Sequence, residues 1–438
     1  MLDAGVGMTV EKDSFKAGKE LAKSALENMS AKPKLAILGV DSLTRKPFDY
    51  NQLLAGVKEE IGPEVELIGS SVNGVLVNDR FAMRSAGLML LGGDINVEKT
   101  FNYGKSRVDY KNIAENVYQS IKDLEPNKDR FMLIFQDGIK LPQEVLDKQK
   151  SLNSRFVSLF TGLVKRVFMR QIEEFKESGM GMPSIQEFLE ELYAKGWSSQ
   201  VIGNVATNVR NYDSIEFYND IVGKDNIIGA IIAPQGSTKF GFGFGAGAEP
   251  TGKSCNIEKN IGSFLLKIDD KPALLGLCDA AGIKKEALKE LRGGAYLNYY
   301  TILGTTEKTK GGDVIHLAMT MTNPDLENLI NSGFPFEKVP NRVEIFQSNT
   351  NILHKTAENA VKQAVQNLNN PKFLLGFDCA IRFFAYGDNL PKIVKTVNNA
   401  IGKDIPKMVL GSGGEIFGTK DIDYYFNNMT FVTLAGGD

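Results

Sequence analysis

Nine residues stand out, by type and position, as groups that can hold a small polar molecule. Ser70, Ser71 and Asn73 lie in the run Gly69–Gly74 (GSSVNG), and Asn204 lies in Gly203–Asn208 (GNVATN). Asp378, Cys379 and Arg382 follow the apolar run FLLGF, and Ser412 and Glu415 lie in GSGGEIFG. Glycine permits close backbone approach. Short hydroxyl and amide side chains, with exposed backbone amides, then suit a small polar ligand. Arg382 can grip a carboxylate with two parallel hydrogen bonds, and Glu415 can take a cationic group or act as a general acid or base. Asp41, Ser42, Gln136, Asp137, Thr207 and Asn208 occupy related positions after other apolar runs. The same residue types also build ordinary turns, so the set carries the reading and no single run does.

Cys379 acts as a nucleophile only beside a base. The two histidines, His316 and His354, are both distant in sequence. No catalytic residue is therefore assigned, although an enzyme working through Cys379 or Glu415 stays open as an alternative. The cysteines, Cys255, Cys278 and Cys379, form no CxxC or CxxH pair, so no metal site is expected. The run Gly241–Gly247 lacks a strand–turn–helix setting, and there is no GxxxxGK[ST], so no nucleotide cofactor is expected. A formal charge of −2 gives no reason to expect nucleic acid. No apolar run reaches membrane-spanning length and Met1–Val10 has no signal-peptide pattern. A membrane partner is not expected, and the cytoplasm is the expected location.

The elements that position these residues repeat. With 438 residues, 42% of them apolar and 24% charged, the chain should form about two globular domains. One pattern appears three times: a helix, a buried strand, a second helix, a second strand ending in glycine, and two closing strands. In the first copy the strands are Leu35–Val40 and Val65–Ile68. In the second they are Phe131–Phe135 and Val201–Ile202. In the third they are Phe373–Phe377 and Met408–Leu410. Each copy has the length of a βαβ crossover, which predicts parallel pairing. The fold class is therefore α/β, with repeated strand–helix–strand units forming mixed, partly parallel sheets. The glycine-rich runs are expected as loops at the carboxyl ends of these strands, where α/β proteins bind ligands.

Two stretches depart from the repeat. Residues 238–348 look β-rich: FGFGF alternates as a half-buried strand does, Phe264–Ile268 opens a strand–turn–helix segment, and further strands contain His316 and Val343. The second copy carries a helical insertion over about 140–198. Phe156, Leu159, Phe160, Leu163, Val164, Val167 and Phe168 fall on one helical face, with Arg155, Lys165, Arg166 and Arg170 beside them. Such a helix packs on its own sheet, serves a scaffold role by binding a partner, or lies on a membrane surface.

The runs ELIGSSVNGVL, QVIGNVATNVRNYDSIEFYNDIVGKDNIIGAII, KIDDKPALLGL, FLLGFDCAIR and GSGGEIFG, in that order, resemble FIST proteins. These are a sensory domain class of prokaryotic signalling proteins and of some eukaryotic F-box proteins. The resemblance implies residues 1–235 as a FIST N-like domain with the helical insertion, and 236–438 as a FIST C-like domain. It implies a sensor binding small ligands, with amino acids or carboxylates as candidates, and a separate signalling protein as partner. By analogy Cys379, Arg382 and Glu415 hold motif positions of the C-terminal half. GSGGEIFG lacks the aromatic residues that commonly precede GEI, and the insertion is longer and more basic than the family pattern.

Overall fold

The computed structural model describes residues 1–42, 48–124, 129–140, 185–208, 213–261, 264–284, 301–309, 312–318, 320–322, 330–332, 339–418 and 425–438. The basic amphipathic stretch around Phe156–Phe168 lies outside them. The chain forms two compact units. One comprises Met1–Gly138, Pro183–Gly247 and Leu353–Asp438; the other comprises Ile139–Met182 and Ala248–Ile352. Compactness thus cuts the chain elsewhere than at residue 235, because a block of sequence resemblance is a different division from a block of mutual packing.

The larger unit is three repeats. The first runs β1 (Asp3–Thr9), α1 (Ser14–Leu26), β2 (Pro33–Asp41), α2 (Tyr50–Ile61), β3 (Glu66–Val72), β4 (Val75–Val77), β5 (Arg80–Ala82) and β6 (Ala86–Gly92). The second runs β7 (Ile95–Gly104), α3 (Tyr110–Ile121), β8 (Phe131–Gln136), α4 (Ile185–Ala194), β9 (Gln200–Val205), β10 (Glu216–Tyr218), β11 (Ile221–Gly223) and β12 (Asn226–Pro234). The third begins with β13 (Lys239–Ala246). In sequence it is then interrupted by the smaller unit's β14 (Glu249–Ile261), β15 (Phe264–Ile268), β16 (Lys271–Pro272), α5 (Ala273–Ala281), β17 (Thr301–Thr309), β18 (Gly312–Ala318), β19 (Thr320–Thr322), β20 (Ile330–Ser332) and β21 (Arg342–Gln347). It resumes with α6 (Thr350–Val365), β22 (Pro371–Cys379), α7 (Ala380–Tyr386), α8 (Leu390–Ile401), β23 (Lys407–Ser412), β24 (Glu415–Gly418), β25 (Tyr425–Asn427) and β26 (Thr430–Gly437).

Three six-stranded sheets follow, with orders β1-β6-β2-β3-β10-β11, β7-β12-β8-β9-β24-β25 and β13-β26-β22-β23-β4-β5. The expected parallel pairs are present as β2–β3, β8–β9 and β22–β23; the other pairings are antiparallel. Each sheet takes four strands from its own repeat and the short hairpin from the next, in a closed cycle. The inward faces share one apolar core that includes Leu35, Ile37, Phe131, Leu133, Phe373, Leu375, Met408 and Val432. Aromatic edge contacts such as Phe131–Phe240 (4.8 Å) and Phe135–Phe377 (5.8 Å) tie the sheets together. Helices α1 and α2 cover the outer face of the first sheet, and α3 and α4 that of the second.

The sequence FGFGF has a packing cause. Its phenylalanines pack on the inward core. A Cβ on Gly241 or Gly243 would meet the α6 carbonyls of Ala364 and Ala360 at 1.9 and 1.8 Å. The helix backbone therefore lies directly on the strand. The glycine-rich runs expected as loops are instead largely strand, since β3 runs through Gly69, Ser70 and Ser71 and β9 through Gly203 and Asn204. Gly69 and Gly203 serve close strand contact, not a turn: a Cβ there would meet the Leu38 and Ile134 carbonyls at 2.0 and 2.1 Å.

The smaller unit is built on an antiparallel sheet, β18-β17-β21-β14-β15-β20-β19, with β16 on β15. Its α5 buries Leu274 and Leu277 against Ile257, Leu265, Leu303 and Val343. The β-rich middle segment is thus a compact body of its own.

Candidate functional site

Where the three exchanged hairpins leave their sheets, the backbone closes a ring. Asn73 N donates to Gly411 O and Gly411 N to Gly74 O. Thr207 N donates to Ser71 O and Ser71 N to Ile215 O. Gly413 N donates to Val205 O and Val205 N to Gly414 O, all at 2.8–3.0 Å. These three reciprocal pairs make Ser71, Val205 and Gly411 equivalent positions. Stepping back one residue aligns Ser70, Asn204 and Leu410. Their cross-strand partners in the hairpins are Glu216, Glu415 and Val75. Two of the three equivalent positions are therefore polar pairs, and the third is apolar.

These side chains face inward. Ile68 and Val72, Ile202, and Phe417 flank Ser70, Asn204 and Glu415 on the same strand faces and belong to the inward core. Ser70, Asn204 and Glu415 are each 0% exposed and Glu216 is 1% exposed. Asn204 Nδ2 donates to Ser70 Oγ at 2.8 Å. Glu415 Oε2 accepts from Thr430 Oγ1 at 2.8 Å and Thr430 N at 3.2 Å. Asn204 Oδ1 and Glu415 Oε1 have no hydrogen-bond partner among the described residues. Two buried oxygens on directly paired residues are thus left open, an arrangement that costs roughly 1–3 kcal/mol for each group unless a partner arrives. Burial drives the Glu415 carboxyl well above its ordinary value, with Thr430 pulling it back.

Cys379 and Ser412 are paired across β22 and β23 near this layer. Burial, and then the Glu415 carboxylate, push the Cys379 thiol well up. A nucleophilic cysteine requires the opposite. Ser412 Oγ donates to its own turn at Gly414 O, 2.6 Å. Ser71 faces outward and accepts from Ile215 N at 2.9 Å. Asn73 Nδ2 reaches Thr207 Oγ1 at 3.2 Å, and Ser42 Oγ reaches Thr207 O at 2.8 Å. Asp41 and Asp137 are equivalent carboxylates at the strand ends. The first accepts Gly74 N at 2.8 Å; the second accepts Ser214 Oγ at 2.6 Å and Arg107 Nε at 3.0 Å.

Asp378 and Arg382 lie on the helix-covered face of the third sheet, whereas Glu415 points inward from the second. Arg382 Nε donates to Asp378 Oδ1 at 2.5 Å. Its Nη2 donates to Leu353 O and Tyr386 Oη, both at 2.9 Å, and its Nη1 to Thr356 Oγ1 at 3.3 Å. Tyr386 Oη closes the circuit on Asp378 Oδ2 at 3.3 Å. Asp378 and Arg382 are 0% exposed. Burial lifts the Asp378 carboxyl to about 6, and the guanidinium beside it restrains the rise. Sequence analysis expected this arginine for a ligand carboxylate, but its donors are engaged within the fold. The structure therefore gathers Ser70, Asn204 and Glu415 into one layer, places Cys379 and Ser412 at its border, and sets Asp378 and Arg382 apart.

Two further residues belong to this layer that the sequence pattern does not single out. Thr430 anchors Glu415, and Glu216 is its repeat equivalent. Aligning IEFY with GEIF across the repeats would have found the second. A separate cleft of about 520 Å³ lies at the opposite, starting ends of β22 and β23, lined by Asp3, Asn78, Asp79, Lys372, Lys403 and Asp404 among others. None of the nine expected residues lines it. Among the described residues there is no group of metal-ligating side chains and no helix long and apolar enough to cross a membrane.

The family model described as FIST N domain matches residues 43–271. No curated protein matches the sequence. Solved structures similar to the chain include a chorismatase (8% identity, TM-score 0.33, covering 100% of this chain and 98% of that one). A second is the cyanuric acid hydrolase from A. caulinodans (7% identity, TM-score 0.24, covering 53% and 70%). Both likenesses are remote.

Proposed function

The chain belongs to the FIST family of signal-transduction sensory domains, and from that premise we propose that it senses a small polar ligand at the inward layer of Ser70, Asn204 and Glu415. The observation that carries the reading is the pair of unpartnered acceptors, Glu415 Oε1 and Asn204 Oδ1, on directly paired residues. Open oxygens of this kind select a group that donates, such as a protonated amine or an N–H of an amide. Ser71, Asn73 and Ser412 hold the surrounding turns, and Cys379 forms an uncharged wall. Ligand entry requires local opening of the ring turns, as binding loops commonly provide. Occupancy favours one arrangement of the ring over another, and a separate signalling protein in the cytoplasm reads the result.

Thermal-shift screening of small amines, amino acids and carboxylates tests the proposal. Compounds bearing an N–H donor should raise the melting temperature of the wild-type protein and leave Asn204→Leu unmoved. Equal stabilisation of that variant, or stabilisation by carboxylates alone, contradicts the assignment.

A further inference from the structure

The smaller unit leaves the repeat after Gly247 and the chain returns at Leu353. Both stems meet at one side chain. Arg382 Nη2 holds the Leu353 carbonyl at 2.9 Å, and Nη1 reaches Thr356 one turn further along α6. A Cβ added to Gly247 would stand 2.6 Å from Arg382 Nη1 and 3.1 Å from Leu353 Cδ2. Gly247 has no room for a side chain because the Met429 carbonyl, 2.3 Å from that position, and the guanidinium together fill the space. Gly247 N also donates to that carbonyl at 2.7 Å.

Met429 leads back to the inward layer. It has φ of 56°, a left-handed conformation that costs a non-glycine residue energy and persists where its surroundings hold it. The next residue, Thr430, is the one whose backbone N–H and hydroxyl both bind Glu415. An unbroken path of contacts therefore runs from Glu415 through Thr430 and Met429 to the first stem, and Arg382 joins that stem to the second.

We propose that Arg382 is a clasp on both stems of the inserted segment 248–352, and that the Met429–Thr430 turn makes the grip of that clasp depend on Glu415. Arg382 is thus a positioning residue, and the two stems are the part of the chain whose hold answers to the inward layer. The path exists without any ligand, so its failure and the failure of the binding proposal are separate results.

Hydrogen–deuterium exchange of the full chain tests it, with wild type compared to Arg382→Lys, Thr430→Val and Glu415→Gln. Lysine keeps the charge but cannot span both stems. Thr430→Val removes one hydroxyl at nearly constant shape, so it reports even where the arginine variant folds poorly. The stem residues 244–250 and 350–357 should exchange at least about tenfold faster in Arg382→Lys. In Thr430→Val and Glu415→Gln the rise should be about threefold or more at the same stems, with β2 and β8 unchanged. Stems that exchange at the wild-type rate in Thr430→Val and Glu415→Gln overturn the coupling. Equal acceleration of β2 and β8 in all three variants overturns the clasp, because it reports general loss of stability.

Discussion

Two buried polar clusters, one on the helix-covered face of the third sheet and one on the inward face of the second, are built to different rules. On the helix-covered face, each nitrogen of Arg382 and the hydroxyl of Tyr386 meets an acceptor. On the inward face, Asn204 and Glu415 each keep one acceptor open among the described residues. A saturated buried network rigidifies the fold. An unsaturated one is retained at a cost, and that cost has meaning only if something arrives to meet it. The lesson is that charge and burial alone do not mark a binding site. Arg382 has both, yet its nitrogens are met within the fold, whereas Asn204 has no charge and keeps Oδ1 open among the described residues.

Breaking the saturated cluster should have the largest effect. Arg382→Ala leaves the Asp378 carboxylate buried and unpaired, so a loss of about 3–5 kcal/mol is expected, read as a fall in the denaturation midpoint. Next comes the packing beneath it. Gly243→Ala drives a methyl into the Ala360 carbonyl at 1.8 Å and should lose about 1–3 kcal/mol. The unsaturated cluster should tolerate change better. Asn204→Leu removes one open acceptor together with one hydrogen bond, and its stability should move by no more than about 1 kcal/mol. A loss as large as that of Arg382→Ala would erase the distinction between the two faces.

The smallest effect is a pH dependence. The folded Glu415 carboxyl is raised above its ordinary 4.5, so the folded state binds the proton more tightly. Its contribution to stability is complete below the unfolded value and is lost as pH rises through the raised folded value. Glu415→Gln keeps the shape of the neutral acid. Denaturation midpoints of wild type should decline relative to this variant as pH rises from about 4 to about 8. Parallel profiles would mean that Glu415 ionises freely in place.

Much of this architecture is legible in the sequence, and the exceptions have causes. The three parallel pairs follow from apolar runs separated by helix-length segments, a signal local to each repeat. The exchange of β4–β5, β10–β11 and β24–β25 is not local: a three-residue strand such as Val75–Val77 fits the edge of its own sheet as well as that of another. β1 and β7 are missed for opposite reasons. DAGVGMT is too rich in glycine to read as a strand, and INVEKTFNYG alternates weakly because it is an edge strand with one face largely open. At the site, the position of Glu415 in GSGGEIFG drew attention, and its partner Asn204 came from GNVATN. Their pairing depends on the hairpin exchange and could not be read. The internal pairing of Arg382 could have been suspected: Asp378 stands four residues before it at a strand–helix junction, a spacing that favours an ion pair within the fold.

The central claim is that the inward layer is open to a donor and the outward cluster is not. A crystal structure of the full chain, grown with the compound that most raises the melting temperature, tests it most directly. Non-protein density is expected within about 3 Å of both Glu415 Oε1 and Asn204 Oδ1, and none against Arg382. A direct hydrogen bond between those two oxygens, with the proton of Glu415 between them and the compound bound elsewhere, would contradict it.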